Sequence, residues 1–208
     1  SSAGKLGPRS GIPARYAMTP YLKFRETKSL ELTFRFCPGQ EFRQVVDAVR
    51  SVKLPPLPLN EELAAFSVLE LLSNSIRAHR ERGVREDVEL RYSISDNRLK
   101  IEILDSGRGF DPGRLPYRLD SPPDSIDPRS ETFTEYRLRY GNGRFGMGLL
   151  AARKTFPAFS LTFVDRDLSP CPWYSGMVRG TRIVLSAPLA SEAWAEDLEE
   201  LPPAEEEE

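Results

Sequence analysis

Arg98-Leu-Lys-Ile-Glu-Ile-Leu-Asp-Ser-Gly-Arg-Gly-Phe110 is the stretch on which the fold turns. It opens as alternating charged and apolar residues, the pattern of a half-buried strand. It ends in Asp105 followed by two glycines. Gly107 and Gly109 permit close backbone approach and unusual dihedrals. An aspartate at a strand's end can accept a hydrogen bond from an amino group on a base; a plain Asp/Gly turn is the competing reading. Upstream, Val88 to Ser95 alternates in the same way, and Asp96-Asn97 separates the two runs. Together they predict a β-hairpin.

Outward from the hairpin, Asn60 is an N-cap candidate, with Glu61 and Glu62 in the first turn where the helix dipole favours acids. The helix is expected to run to about Arg80, with Ala65, Leu69, Leu72 and Ile76 as its apolar stripe. Before it, Leu30 to Phe36 alternates as a strand. Residues 41–52 show helical spacing at Phe42, Val45, Val46 and Val49. Leu54-Pro-Pro-Leu-Pro-Leu59 is a stiff connector. On the far side, residues 105–147 are rich in Gly, Pro, Asp and Arg with little periodicity, and such a long stretch in a compact domain is usually functional or mobile. A short helix from Leu149 to Phe156, a strand near Ser160 to Val164 and a last strand near Thr181 to Ala187 follow. The order predicts an α+β fold, a two-layer sandwich with helices on one face of a mixed sheet.

The chain has 208 residues, enough for one domain with a full core and appendages. Residues 1–27 are expected to be a flexible leader, 28–189 the domain and 190–208 an acidic tail. Neither residues 1–20 nor residues 191–208 offer a sustained periodic apolar face, and both are expected to be dispensable for folding. Trp194 is the one tail residue suited to docking on the body. Net charge is −2, but residues 191–208 hold nine acids and no Lys or Arg. With those nine set aside, 29 Lys and Arg face 22 acids, a balance of +7. No nucleic-acid recognition module accompanies this charge, so phosphates of a nucleotide, or the tail itself, are the expected counterparts. Two cysteines in no metal-ligand spacing exclude a disulfide scaffold and a Cys-based zinc site, and fit a reducing cytosol. No secretion signal or membrane-spanning stretch is visible. A single histidine, His79, excludes mechanisms that need two.

Two further motifs carry chemistry. Glu70-Leu-Leu-Ser-Asn74, with Arg77 beyond, places 70, 74 and 77 at i, i+4 and i+7, on one helical face. A carboxylate and a carboxamide one turn apart can orient a nucleophile and offer a metal an oxygen; a solvated polar face is the bland reading. Gly141-Asn-Gly143-Arg-Phe-Gly146-Met-Gly148-Leu149 runs into a helix. Glycine-rich backbone entering a helix N-terminus offers N–H donors and a favourable dipole to phosphates. The run lacks the Gly-Lys-Ser/Thr of a P-loop and the dinucleotide pattern of glycines.

Taken in order, the three motifs resemble the GHKL ATPase superfamily, which includes gyrase-type topoisomerases, the large heat-shock chaperone, sensor histidine kinases and mismatch-repair ATPases. Glu70 to Asn74 matches the N box; Asp105, Gly107 and Gly109 match the G1 box; Gly143, Gly146 and Gly148 match the G2 box. Gly180-Thr181 resembles the Gly-Thr near the adenine pocket. The resemblance covers about residues 30–187 and implies the Bergerat-type ATP-binding sandwich with Mg–ATP as ligand. It implies Asp105 as acceptor for the adenine amino group, supported by Thr181, and Asn74 as a Mg²⁺ ligand. It implies Arg77 and Arg144 near phosphate, and Gly143, Gly146 and Gly148 wrapped around phosphates. Phe110 and Leu149 stand in the same motifs, residues 110–140 are the implied lid, and Glu70 is the implied general base. The strand-helix-helix entry is most similar to bacterial anti-sigma-factor serine/threonine kinases, which implies a cytoplasmic signalling enzyme whose partner is a sigma factor or its antagonist, with a homodimer compatible. The alternative is a stand-alone histidine-kinase-like module that transfers to a separate phosphoacceptor protein or acts as a nucleotide-gated binding switch. Departures from the family pattern are the long leader, the tail, the long segment 110–140 and His79, which sits one residue later than usual and is read as structural or phosphate-adjacent.

Overall fold

The computed structural model describes residues 20–140 and 146–190. Among the described residues, eight strands and four α-helices follow one another: β1 (Leu22–Phe24), β2 (Thr27–Ser29), β3 (Glu31–Phe36), α1 (Phe42–Arg50), β4 (Val52–Lys53), α2 (Glu61–Arg82), β5 (Val88–Ser95), β6 (Arg98–Asp105), α3 (Glu131–Tyr140), α4 (Met147–Thr155), β7 (Ala158–Val164) and β8 (Gly180–Pro188). Five strands form the main sheet in the order β3-β5-β6-β8-β7, and β2-β1-β4 form a small one. Helices α2 and α4 pack on one face of the main sheet. No helix among the described residues is long and apolar enough to cross a membrane.

The hairpin is pinned at its turn. Asp96 and Asn97 both have positive φ, 49° and 55°, the type I′ geometry whose twist matches the flanking strands. Ser95 therefore faces Arg98, and the register runs on to Leu90 opposite Ile103. The same alternation continues through β8, where Ile101 faces Leu185 and Asp105 faces Thr181. One face thus collects Leu90, Tyr92, Ile101, Ile103 and Leu185, all buried under the helices. The other face carries charge pairs such as Arg35–Glu89 at 3.3 Å and Lys100–Glu102 at 3.1 Å, which add solubility more than stability.

Every pair in the main sheet is antiparallel, which corrects the expected mixed sheet. The connection β6–α4–β7 joins two strands that point the same way, as a parallel crossover does. They do not pair with each other, because β8 occupies the slot between them and runs antiparallel to both. Between β3 and β5 the chain makes two helical passes, α1 and α2, and so returns to the end of the sheet it left.

Helix α2 begins at Asn60, whose side chain accepts from the Leu63 amide at 2.9 Å. It ends at Gly83, whose φ of 63° is the left-handed cap, with the Val84 amide donating to His79 O. The expected apolar stripe holds at Leu72 and Ile76 and is displaced by one position in the first half of the helix. Ala64, Val68, Leu71, Leu72, Ile76 and His79 are buried, whereas Ala65 and Leu69 are only half-buried. The helix lies across a sheet face, so two rows rather than one meet the core.

The expected leader boundary at residue 27 falls inside the fold. Leu22 is completely buried in the main core, and Phe24 meets Phe34 edge-on at 5.0 Å. Strands of two or three residues are too short to show alternation, which hid them. Residues 1–19 and the tail 191–208 lie outside the described residues. The segment 110–140 holds two short 3₁₀ turns and α3, with Phe133, Ile126 and Leu150 forming a second small core against α4.

Gly180 is set by the pairing of β6 with β8. A Cβ there would lie 1.6 Å from the Asp105 carbonyl oxygen, backbone that cannot yield without separating the strands. Gly180→Ala is expected to cost about 3 kcal/mol or more in urea unfolding, at the upper end of overpacking penalties. Gly39→Ala, where a Cβ meets nothing within 4 Å, should stay within about 0.5 kcal/mol.

Candidate functional site

At the end where β6 and β8 finish and start, Asp105 draws three elements together. It is 7% exposed. Its Oδ1 accepts from the Gly107 amide at 2.8 Å and, more weakly, from the Thr181 amide at 3.4 Å. Its Oδ2 accepts from Ser75 Oγ of α2 at 3.0 Å and from Thr181 Oγ1 of β8. An ionised carboxylate offers about four acceptor sites, and the stretched Thr181 amide leaves one of them weakly served.

The turn after Asp105 is held from behind by His79. Its Nε2 accepts from the Ser106 amide at 2.8 Å, and its Nδ1 lies 2.9 Å from Glu86 O. An amide only donates and a carbonyl only accepts, so the ring is neutral here with its proton on Nδ1. His79 is 0% exposed. It is therefore structural, and the phosphate-adjacent reading is set aside. Arg108 and Gly109 both adopt the left-handed conformation, φ 59° and 64°. Arg82 Nη1 donates to Gly109 O at 2.6 Å, fixing the turn to the end of α2.

The glycines make room. A Cβ on Gly107 would sit 2.9 Å from Ala78 Cβ, and one on Gly109 would meet Val178 and Phe163 at under 3 Å. A cavity of about 90 Å³ opens beside Asp105. Asn74, Gly107, Gly109, Phe110, Leu149 and Thr181 of the sequence-derived set line it with Asp105, as do Ser75, Ala78 and Ile183, which the sequence reading passed over. Ser75 and His79 are spaced i, i+4, and this was the available signal for both. Phe110 packs edge-on against Phe163 at 5.4 Å, walling one side.

Glu70 and Asn74 lie where α2 meets the start of α4. Gly148 permits that contact: a Cβ on it would lie 2.8 Å from Glu70 Cβ and 3.5 Å from Asn74 Nδ2. Gly148 thus has a packing role beside the site, while the first N–H groups of α4 lack intrahelical partners, as in any helix. Gly146 caps α4 with φ 91°, and its carbonyl accepts from Tyr117 Oη at 2.7 Å. Burial pushes the Tyr117 hydroxyl above its ordinary range, so it remains a donor. Asn74 Oδ1, the oxygen expected for Mg²⁺, accepts from Arg77 Nη2 at 2.7 Å. A carbonyl oxygen has a second lone pair, so Asn74 can still serve a cation once Arg77 turns to an anion. Arg77 also lies 4.0 Å from Glu81. Gly143 and Arg144 lie outside the described residues.

The residues present fit a nucleotide with Mg²⁺. A buried acceptor edges a cleft kept open by absent side chains, and a cation and a helix N-terminus lie beside it. No cluster of three or more His, Cys, Asp or Glu occurs among the described residues.

No curated protein gives a significant match to the chain. The family described as histidine kinase-like ATPase domain matches residues 40–158, more than half the chain, from just before α1 to the start of β7. The matched span contains Glu70, Asn74, Asp105, Gly107, Gly109, Gly146 and Gly148. With the cleft at the C-terminal end of β6, the glycine-bounded meeting of α2 and α4 and this match, the chain belongs to the histidine kinase-like ATPase domain family, an ATP-binding module.

Proposed function

We propose that the chain is an ATP-dependent protein kinase of regulatory type, transferring phosphate to a serine or threonine of a partner protein. The observation that carries the reading is the Asp105 carboxylate at the edge of the cleft, oriented by Ser75, Gly107 and Thr181, with one acceptor site served only weakly by the Thr181 amide at 3.4 Å. An adenine amino group is the stronger donor for that weakly served site. The cleft is small against the roughly 300–1,000 Å³ of sites that enclose a whole ligand. It suits the base, with phosphates directed to Asn74, Arg77 and the start of α4. Asn74 would hold Mg²⁺, which when bound neutralises phosphate charge. Arg77, released from Asn74, neutralises further charge.

Glu70 supports transfer over binding alone. A carboxylate beside phosphates repels them, so its presence favours a proton-accepting role toward an attacking hydroxyl. Phosphoryl transfer asks mainly for positioning and charge stabilisation, so a small residue set suffices. The entry β3–α1–α2 supports the anti-sigma-factor type, with a sigma factor or its antagonist as partner. The buried His79, with both nitrogens engaged, speaks against phosphotransfer through that histidine. Transfer to a separate phosphoacceptor is the second reading.

Asp105→Asn is expected to weaken ATP binding about 10- to 100-fold by calorimetry, the worth of a hydrogen bond to a charged acceptor; unchanged affinity removes the base-pocket assignment. Glu70→Gln should keep ATP affinity while phosphate transfer to a candidate partner falls by about 10²–10⁴. Transfer at the wild-type rate leaves a nucleotide-gated binding module as the reading. Asn74→Ala should lose Mg²⁺-dependent binding along with transfer. Residues 110–140, proposed as the lid, should gain hydrogen-exchange protection when ATP and Mg²⁺ are added; an unchanged pattern counts against a lid.

A further inference from the structure

A second cavity lies at the other end of α2. It is a groove of about 900 Å³ between α1, β4 and the first half of α2, and its floor reaches the sheet at Tyr92 and Ile101. Its α2 wall carries two exposed apolar side chains, Leu63 at 53% and Phe66 at 50%. Arg50 and Lys53 stand on one rim, Glu61 and Glu62 on the other.

Lys53 continues a row of like charges. In the small sheet Lys23 faces Lys28 of β2 on one side and Lys53 of β4 on the other. Like charges directly opposite each other on a sheet are destabilising. Lys28 lies over the Tyr21 ring at 4.2 Å. None of the three lysines has a carboxylate partner among the described residues. An uncompensated row at the rim of an apolar groove calls for an occupant that is both acidic and apolar.

We propose that the occupant is the chain's own C-terminal segment, residues 191–208. Leu189 is buried, its amide bonded to Asn97 O, and the Ala190 amide donates to Pro56 O at 3.0 Å. The segment thus leaves the fold two residues from Leu54, which lines the groove. Trp194, four residues on, has a reach of about 13 Å from Ala190. Trp194, Leu198 and Leu201 are spaced four and three apart, the interval that gathers side chains on one helical face. Glu196, Asp197, Glu199 and Glu200 are interleaved with them. The apolar residues enter the groove against Leu63 and Phe66, and the acids meet Arg50 and the lysine row, away from Glu61 and Glu62. The contact lies at the opposite end of α2 from Asp105 and rests on none of the nucleotide reading.

The test uses the full chain carrying Trp173→Phe, which leaves Trp194 as its one tryptophan. At low salt, Trp194 emission should be blue-shifted, and acrylamide quenching several-fold weaker than in the urea-unfolded chain. Salt at 0.5 M, where screening acts over only a few ångströms, should raise the quenching. So should Lys23→Glu, Lys28→Glu and Lys53→Glu together. Because that triple variant also alters a sheet, the independent variant is Glu196→Lys, Asp197→Lys, Glu199→Lys and Glu200→Lys, which leaves the small sheet and the groove unaltered and should release Trp194 equally. Carbodiimide cross-links between Lys53 and tail carboxylates should form within one chain when labelled and unlabelled chains are mixed. Quenching equal to that of the unfolded chain overturns the proposal. Protection indifferent to salt and to both charge reversals also overturns it, as do cross-links found only between labelled and unlabelled chains, which assign the groove to a second copy.

Discussion

The structure depends on one buried carboxylate. Asp105 ends β6, and the donors it gathers come from α2, from β8 and from its own turn. A carboxylate so far from water persists only when its lone pairs are met. That requirement fixes how α2 lies over the sheet, which residue of β8 stands opposite, and how the turn at Gly107 folds back. Gly180 must then lack a side chain, since the strand that brings Thr181 to Asp105 passes against the Asp105 backbone. His79 repeats the logic one layer back, joining α2 to the amide of Ser106. The site and the fold are one set of contacts.

The meeting of α2 and α4 obeys a second constraint, distance. With Gly148 against Glu70 Cβ, the helices approach as closely as backbone and Cβ allow, and Asn74 and Arg77 are carried with them. The polar face at Glu70, Asn74 and Arg77, ambiguous as a pattern, becomes specific because a helix N-terminus sits on it. Arg77 donates to Asn74 Oδ1 at 2.7 Å, so the two polar side chains hold each other in place on that face.

Much of this was legible in the sequence. The hairpin was, because Asp96-Asn97 fixes both the turn and the register. Helix α2 was, because Asn60 caps its start with Glu61 and Glu62 in the first turn, although its end lies at Arg82 rather than about Arg80. The acceptor aspartate was, because strand alternation ends on it. What was not legible depended on tertiary context. Strands β1, β2 and β4 are too short to carry a period, and Leu22 is in the core only because the small sheet is built. Helix α3 alternates polar and aromatic residues with no clear stripe, and a single residue, Phe133, anchors its described part. The stripe on α2 was right at Leu72 and Ile76 but one position off at Ala65 and Leu69, because Ser67, Ser75 and His79 are buried polar residues that a search for apolar periodicity passes over. The parallel crossover suggested by β6–α4–β7 was broken by a strand that comes last.

That last strand has a consequence for how the chain is made. Thr181 lies 76 residues beyond Asp105. At about 5–20 residues per second, a ribosome takes roughly 4–15 s to deliver β8 after β6 has emerged. Throughout that interval the inner edge of β6 stands open, with its backbone amides and carbonyls unpaired and its apolar face half covered. An open edge of this kind is a template for other strands. The nascent chain thus passes through a vulnerable window that the finished fold no longer shows, and the window closes with the same strand that completes the Asp105 site.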